Sequence, residues 1–169
     1  MRKTRLNLVL AILGVSAILI PAGCGNATAA IPNVGDKAPD FTLESIDGQK
    51  ISLSHFKGKN VLIVFTAVHC VQCEKQLPYI DAASSQAGNN LAVLNVYRED
   101  PATRVKKHVQ EKQLTRYPAL PDPQDKVAAL YGLPPKAAPV NIIISADGII
   151  VNKHAGPFER QEDINTWIK

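Results

Sequence analysis

The stretch "NVLIVFTAVHCVQCEKQLP" (Asn60–Pro78) decides how the rest of the chain is read. Its first seven residues form a continuous apolar, β-branched run, the pattern of a strand covered on both faces. From Cys70 the pattern turns helical, with Leu77, Ile80 and Ala83 at helical spacing before Gly88-Asn89-Asn90 ends it. Cys70 and Cys73 therefore sit where a buried strand gives way to the first turn of a helix. That turn carries unpaired N–H groups and a partial positive charge. A thiolate at Cys70 is stabilised there, so its pKa is expected below the free value of roughly 8.5. Cys73, one turn further in, faces the same side and is expected to be more buried. The expected division of labour is that Cys70 attacks a substrate disulfide and Cys73 resolves the mixed disulfide.

Two other uses of the pair stay open on the residues alone. A closed zinc site wants four ligands, usually two such pairs or a pair plus two closely spaced histidines. Here there is one pair; His69 adjoins it, but His55, His108 and His154 lack ligand spacing. A purely structural disulfide closing so short a loop removes little unfolded-state entropy. A redox pair fits the position best, and no metal or other cofactor is expected.

Outward from this stretch, "DFTLESIDGQKISLS" alternates in character around Asp47-Gly48, a hairpin signal. "LAVLNVY" (Leu91–Tyr97) is a second buried strand. Asp100-Pro101 then reads as the cap and first position of a helix through "ATRVKKHVQEKQL". A short helix follows around Asp125 to Tyr131, then a strand "VNIIIS" (Val140–Ser145), a turn at Asp147-Gly148 and a strand "IIVNKH". The tail "ERQEDINTWIK" reads as a helix burying Ile164, Trp167 and Ile168. The order βαβα, β-hairpin, α predicts an α/β sheet mixed between parallel and antiparallel pairs.

The composition, 169 residues with 46% hydrophobic and 20% charged, favours one domain with a core of its own. The net charge of +4 does not point to nucleic acid. Three of the 19 basic side chains, Arg2, Lys3 and Arg5, lie in the first five residues, and without them 16 face 15 acidic ones. A near-neutral body with no basic run carries no electrostatic footprint for DNA or RNA. "MRKTR", the apolar run Leu6–Ile20 and the small residues of "PAGCGNATAA" have the order of an export signal. The apolar run is short for a span of about 20 residues. Residues 1–23 are read as the signal, 24–33 as a tether and 34–169 as one domain. "PAGC" resembles a bacterial lipobox in which Cys24 would carry lipid, although Pro21 stands where an aliphatic is usual. Cleavage after Ala29 and an uncleaved anchor are the alternatives. Three cysteines leave one over from a single pair, and acylation of Cys24 would remove a lone exported thiol.

From about Val34 to Lys169 the chain resembles the thioredoxin-fold oxidoreductases of the TlpA/ResA type, within the AhpC/TSA-Redoxin superfamily. The likeness rests on "GDKAPDFTLESIDGQKISLSHFKGKNVLIVF", the Cys70-x-x-Cys73 pair, Pro78 five residues on, "YPALPDPQDKVAALYG" and "APVNIIISADGIIVNKHAG". It implies a thioredoxin-like mixed central sheet flanked by helices, with an N-terminal β-hairpin and a central insertion. It implies that Pro139 is the cis-proline preceding the strand after the insertion, and that Ala138 lends its backbone to a substrate groove. It also implies client protein dithiols or disulfides, a membrane electron donor of the thiol–disulfide type, and reduction of disulfides in cytochrome c or metal-site maturation at the outer face of a bacterial membrane.

The departures are informative. His69 stands where the family usually has Trp, Gln76 where a buried proton-shuttling acid is common, and Val64 where thioredoxins keep Asp. Glu74 is expected to point to solvent. An imidazole ordinarily titrates near pH 6.5 and, when protonated, lowers the pKa of a neighbouring thiol, so His69 is a candidate to tune Cys70. "LPPKAAP" (Leu133–Pro139) is about two residues longer than the family pattern and stiffened by Pro134 and Pro135. Two other functions compete with this one. A peroxiredoxin would need a Pro-x-x-x-Thr-x-x-Cys pattern that neither cysteine satisfies. A thioredoxin-like copper module would use Cys70, Cys73 and His69, since soft thiolates suit Cu(I).

Overall fold

The computed structural model describes residues 30–168. The expected signal and Cys24 lie outside those residues. Among the described residues seven strands and five α-helices follow one another: β1 (Thr42–Glu44), β2 (Lys50–Ser52), β3 (Asn60–Thr66), α1 (Val71–Lys75), α2 (Leu77–Ala87), β4 (Leu91–Arg98), α3 (Ala102–Lys112), β5 (Ala119–Asp122), α4 (Lys126–Leu130), β6 (Val140–Ile144), β7 (Ile150–Ala155) and α5 (Glu162–Asn165). β1 and β2 form the hairpin around Asp47-Gly48, with Gly48 at φ +80°, a conformation that favours glycine. The other five strands make one mixed sheet in the order β5-β4-β3-β6-β7. β3 runs parallel to β4 and antiparallel to β6.

Every residue of β3 is buried, which is why its sequence shows no alternation. The alternation exists in space. Val61, Ile63 and Phe65 join Leu94, Val96, Ile142 and the α4 residues Val127 and Ala128 on one face. Leu62 and Val64 join Ile80 and Ala83 of α2 and Ile164 of α5 on the other. Each such side chain removed from water contributes about 1.5–3 kcal/mol, so two covered faces account for the sheet's central place.

The structure differs from the sequence expectation in three places. β5 has no strand signal of its own: four residues containing Pro121 are a poor strand pattern, but an edge position tolerates a missing N–H. In the tail, Ile164 is fully buried, whereas Trp167 lies beyond the short helix and is 41% exposed. Asp100 does not cap α3. The N-cap is Pro101, with no side-chain cap bond, and Asp100 is used elsewhere.

Candidate active site

Cys70 stands at the N-cap of α1, and its sulfur accepts the Cys73 N–H at 3.2 Å. The two cysteines are joined in a disulfide with their Cα atoms 5.2 Å apart. Cys73 is only 5% exposed while Cys70 is half-buried. An incoming group therefore meets the sulfur of Cys70 first. The helix breaks at Gln76 and resumes with Pro78 in the first turn of α2, where a missing N–H costs nothing.

The loop leading to Cys70 is held from β4's end. The buried Asp100 carboxylate accepts the Val68 N–H at 2.8 Å, and its other oxygen accepts from Arg104 at 3.2 Å. A carboxylate bonded to a backbone N–H is stronger than a neutral pair, so it fixes the loop two residues before Cys70. No local pattern announces this partner, because Asp100-Pro101 has the look of a helix start.

On the sheet side of α1, Gln76 is fully buried, where the resemblance led one to look for an acid. Gln76 Nε2 donates to Asn141 Oδ1 at 3.2 Å, and Asn141 Nδ2 donates back to Gln76 Oε1 at 2.9 Å. Two further bonds go to the backbone: Gln76 Oε1 also accepts the Phe158 N–H, and Asn141 Nδ2 also donates to the Gly156 carbonyl. Each polar atom of the two amides has a partner, and the pair carries no exchangeable charge. Asn141 is the one polar residue in "VNIII", and a lone amide in an otherwise apolar buried strand is the sequence signal for a buried polar partner.

Next to the disulfide is a cavity of about 100 Å³ whose walls include Val64, Cys70, Cys73, Glu74, His108 and Tyr117. Glu74 does not point freely to solvent as expected; it is half-buried in this wall and paired with Lys112 at 3.2 Å. Burial holds the His108 imidazole below its ordinary pKa, with the Glu74 charge opposing it. Burial, followed by the charges of Glu74 and Asp100, pushes Tyr97 up to about 12. Tyr117, also raised chiefly by burial, donates its hydroxyl to Asp81 at 2.7 Å. His69 is exposed and borders a separate groove with Val71, Arg104 and Lys107. Among the described residues, no cluster of three or more His, Cys, Asp or Glu is placed to hold a metal ion.

The Ala138–Pro139 peptide is cis. Val140 pairs with Phe65, so Pro139 lies level with Thr66, at the end of β3 from which the Cys70 loop springs. The Pro139 carbonyl accepts the Gly156 N–H at 2.9 Å. The structure thus brings Cys70, Cys73, Ala138 and Pro139 to one end of the central strands β3 and β6 and leaves His69 exposed beside them.

A family model described as the AhpC/TSA family matches residues 34–153. The thiol-disulfide oxidoreductase ResA of Geobacillus thermodenitrificans (strain NG80-2) is 30% identical over 165 residues, spanning 96% of this chain and 90% of that protein. The thioredoxin-like protein YneN of Bacillus subtilis (strain 168) is 30% identical over 131 residues, 76% of this chain and 75% of that protein. The solved thioredoxin domain of a thiol-disulfide oxidoreductase from Bacteroides vulgatus matches with a TM-score of 0.70 at 23% identity, over 81% of this chain and 99% of that one. At that identity the last match speaks to the fold.

Proposed function

This chain belongs to the AhpC/TSA family and is a thiol-disulfide oxidoreductase similar to the ResA proteins, and from that premise we propose that it is a membrane-tethered reductant of client disulfides outside the cytoplasm. The observation that carries the reading is the asymmetry of the pair: Cys70 half-exposed at a helix N-cap, Cys73 buried behind it. In the reduced protein the Cys70 thiolate attacks a client disulfide, forming a mixed disulfide and releasing one client thiolate. The Cys73 thiolate then attacks the Cys70 sulfur, which forms the intramolecular bond and releases the second client thiolate. Two electrons pass to the client, and the oxidised pair is what the structure holds.

In this reading Ala138 and Pro139 form the ledge on which the client backbone rests, and His69 tunes Cys70 from the rim. A membrane donor of the thiol–disulfide type returns the two electrons. The domain of residues 34–169 is joined to the membrane by residues 24–33, through lipid on Cys24 or an uncleaved signal. Clients of the cytochrome c or metal-site maturation type follow from the resemblance to the TlpA/ResA proteins.

The test is the reduction potential of the Cys70–Cys73 couple, measured by equilibration in thiol redox buffers. A value near or below that of thioredoxin, about −270 mV, supports the reductant; one near −120 mV, as in strongly oxidising disulfide donors, reverses the direction. Each 30 mV shifts this two-electron couple about tenfold, so the two outcomes are well separated. A pair that takes up Cu(I) and does not cycle sinks the redox reading.

A further inference from the structure

Arg98, the last residue of β4, is 2% exposed. Its guanidinium grips Asp125 with two parallel bonds, Nε to Oδ1 at 2.8 Å and Nη2 to Oδ2 at 2.5 Å. That fork neutralises the charge. Two further donations go to main-chain carbonyls of a single segment: Nη1 to Ala137 at 2.5 Å and Nη2 to Pro134 at 3.0 Å.

This segment runs directly into Ala138–Pro139. Pro134 and Pro135 have no N–H to give, and Pro134, Pro135 and Lys136 are exposed, Lys136 at φ +59°. The Ala137 N–H is spent within the segment, on the Pro134 carbonyl. Among the described residues, both hydrogen bonds that tie residues 134–138 to another element come from Arg98. Apolar side chains in place of both Arg98 and Asp125 would fill the same space without the cost of desolvating charges, and such exchanges of a whole pair are often neutral or better for stability. They would not fix two carbonyls at set positions.

We propose that Arg98 is a positioning residue for client binding: it sets the Ala138–Pro139 ledge by holding the carbonyls of Pro134 and Ala137, with Asp125 as its neutralising anchor. This rests on the reading of Ala138–Pro139 as the client ledge. Exchange of Cys70–Cys73 with a small thiol needs no ledge, so Arg98 governs the reaction with disulfide-bonded proteins and leaves the couple itself alone.

The test uses the full chain with Arg98→Lys, whose ammonium lacks the planar fork, and with Arg98→Met combined with Asp125→Asn, which removes both charges together and leaves neither unpaired. Steady-state reduction of insulin, with a thiol regenerating the enzyme, gives KM and kcat; equilibration with dithiothreitol gives the potential. Both variants are expected to raise KM for insulin about tenfold, with kcat and potential near the parent values, the pattern of lost ground-state binding. A folded variant with the parent KM overturns the inference, and so does one whose potential moves in step with its KM. Ala138→Trp, which covers the ledge, separates the two layers. If it raises KM while the Arg98 variants do not, Arg98 alone is excluded. If it leaves KM unchanged, the ledge reading itself falls.

Discussion

Two loops lie at the same end of the sheet's central strands, and each is held by one charged side chain from the end of β4. Asp100 takes the backbone N–H of Val68, before Cys70; two residues earlier in the chain, Arg98 gives to the backbone carbonyls of Pro134 and Ala137, before Pro139. The counter-charges differ. Arg98 meets an Asp125 side chain only 21% exposed, whereas Asp100 meets Arg104 at 56% exposure. A solvent-facing pair is screened and weak, while breaking an enclosed one strands a charge. The cis-proline loop is thus clamped from inside, and the cysteine loop is pinned by one bond with a partly hydrated partner.

The comparison is open to measurement, starting with its larger side. Arg98→Ala leaves Asp125 and two carbonyls without their donor and is expected to cost about 3 kcal/mol or more in denaturant unfolding. Asp100→Ala strands one N–H and is expected to cost about 1–3 kcal/mol, with faster alkylation of reduced Cys70 as its loop loosens. Equal losses for the two would break the contrast between an enclosed and a hydrated clamp.

A smaller effect comes from His108, on the helix that follows Asp100. Its folded-state pKa is depressed below the ordinary 6.5, chiefly by burial. The unfolded chain therefore binds the proton more readily, and stability rises with pH across the interval between the two values. The parent protein should lose stability as pH falls from about 6.5, and His108→Phe should flatten that slope in melts taken between pH 7.5 and 5. If the slope survives, another group carries it. The smallest effect concerns the rim. His69→Ala should slow Cys70 alkylation at pH 6 by no more than about fivefold, as befits an exposed charge, and an unchanged pH profile would remove His69 from any tuning role.

The legible parts of this molecule were those written in neighbouring residues. The seven apolar residues of β3, the Asp47-Gly48 turn and the cysteines at a strand-to-helix junction each carry their signal within about a dozen positions, and the structure has all three. The four residues of β5 gave no such signal, because an edge strand with a proline is made by its neighbour β4 and not by its own propensity. The polar parts of the site were harder for the same reason. Asp100 looked like a cap because its partner Val68 is 32 residues away, and Gln76 looked like a missing acid because its partner Asn141 is 65 residues away. Glu74 looked solvated until α3, carrying Lys112, closed over it. Pairing across such distances is set by the fold, which no single window of sequence displays.

The amide pair of Gln76 and Asn141 also governs how the couple responds to acidity. Reducing a disulfide to two thiols takes up two electrons and two protons, so the midpoint falls by about 59 mV for each unit of pH while both thiols remain protonated. A carboxyl group at position 76, three residues after Cys73, would bend that line wherever its own proton affinity changed with redox state. Amides hold their protons throughout, so Gln76 and Asn141 leave the line straight. Any curvature between pH 5 and 8 belongs instead to the thiols or to the cavity beside the disulfide, whose lining includes Glu74 and His108.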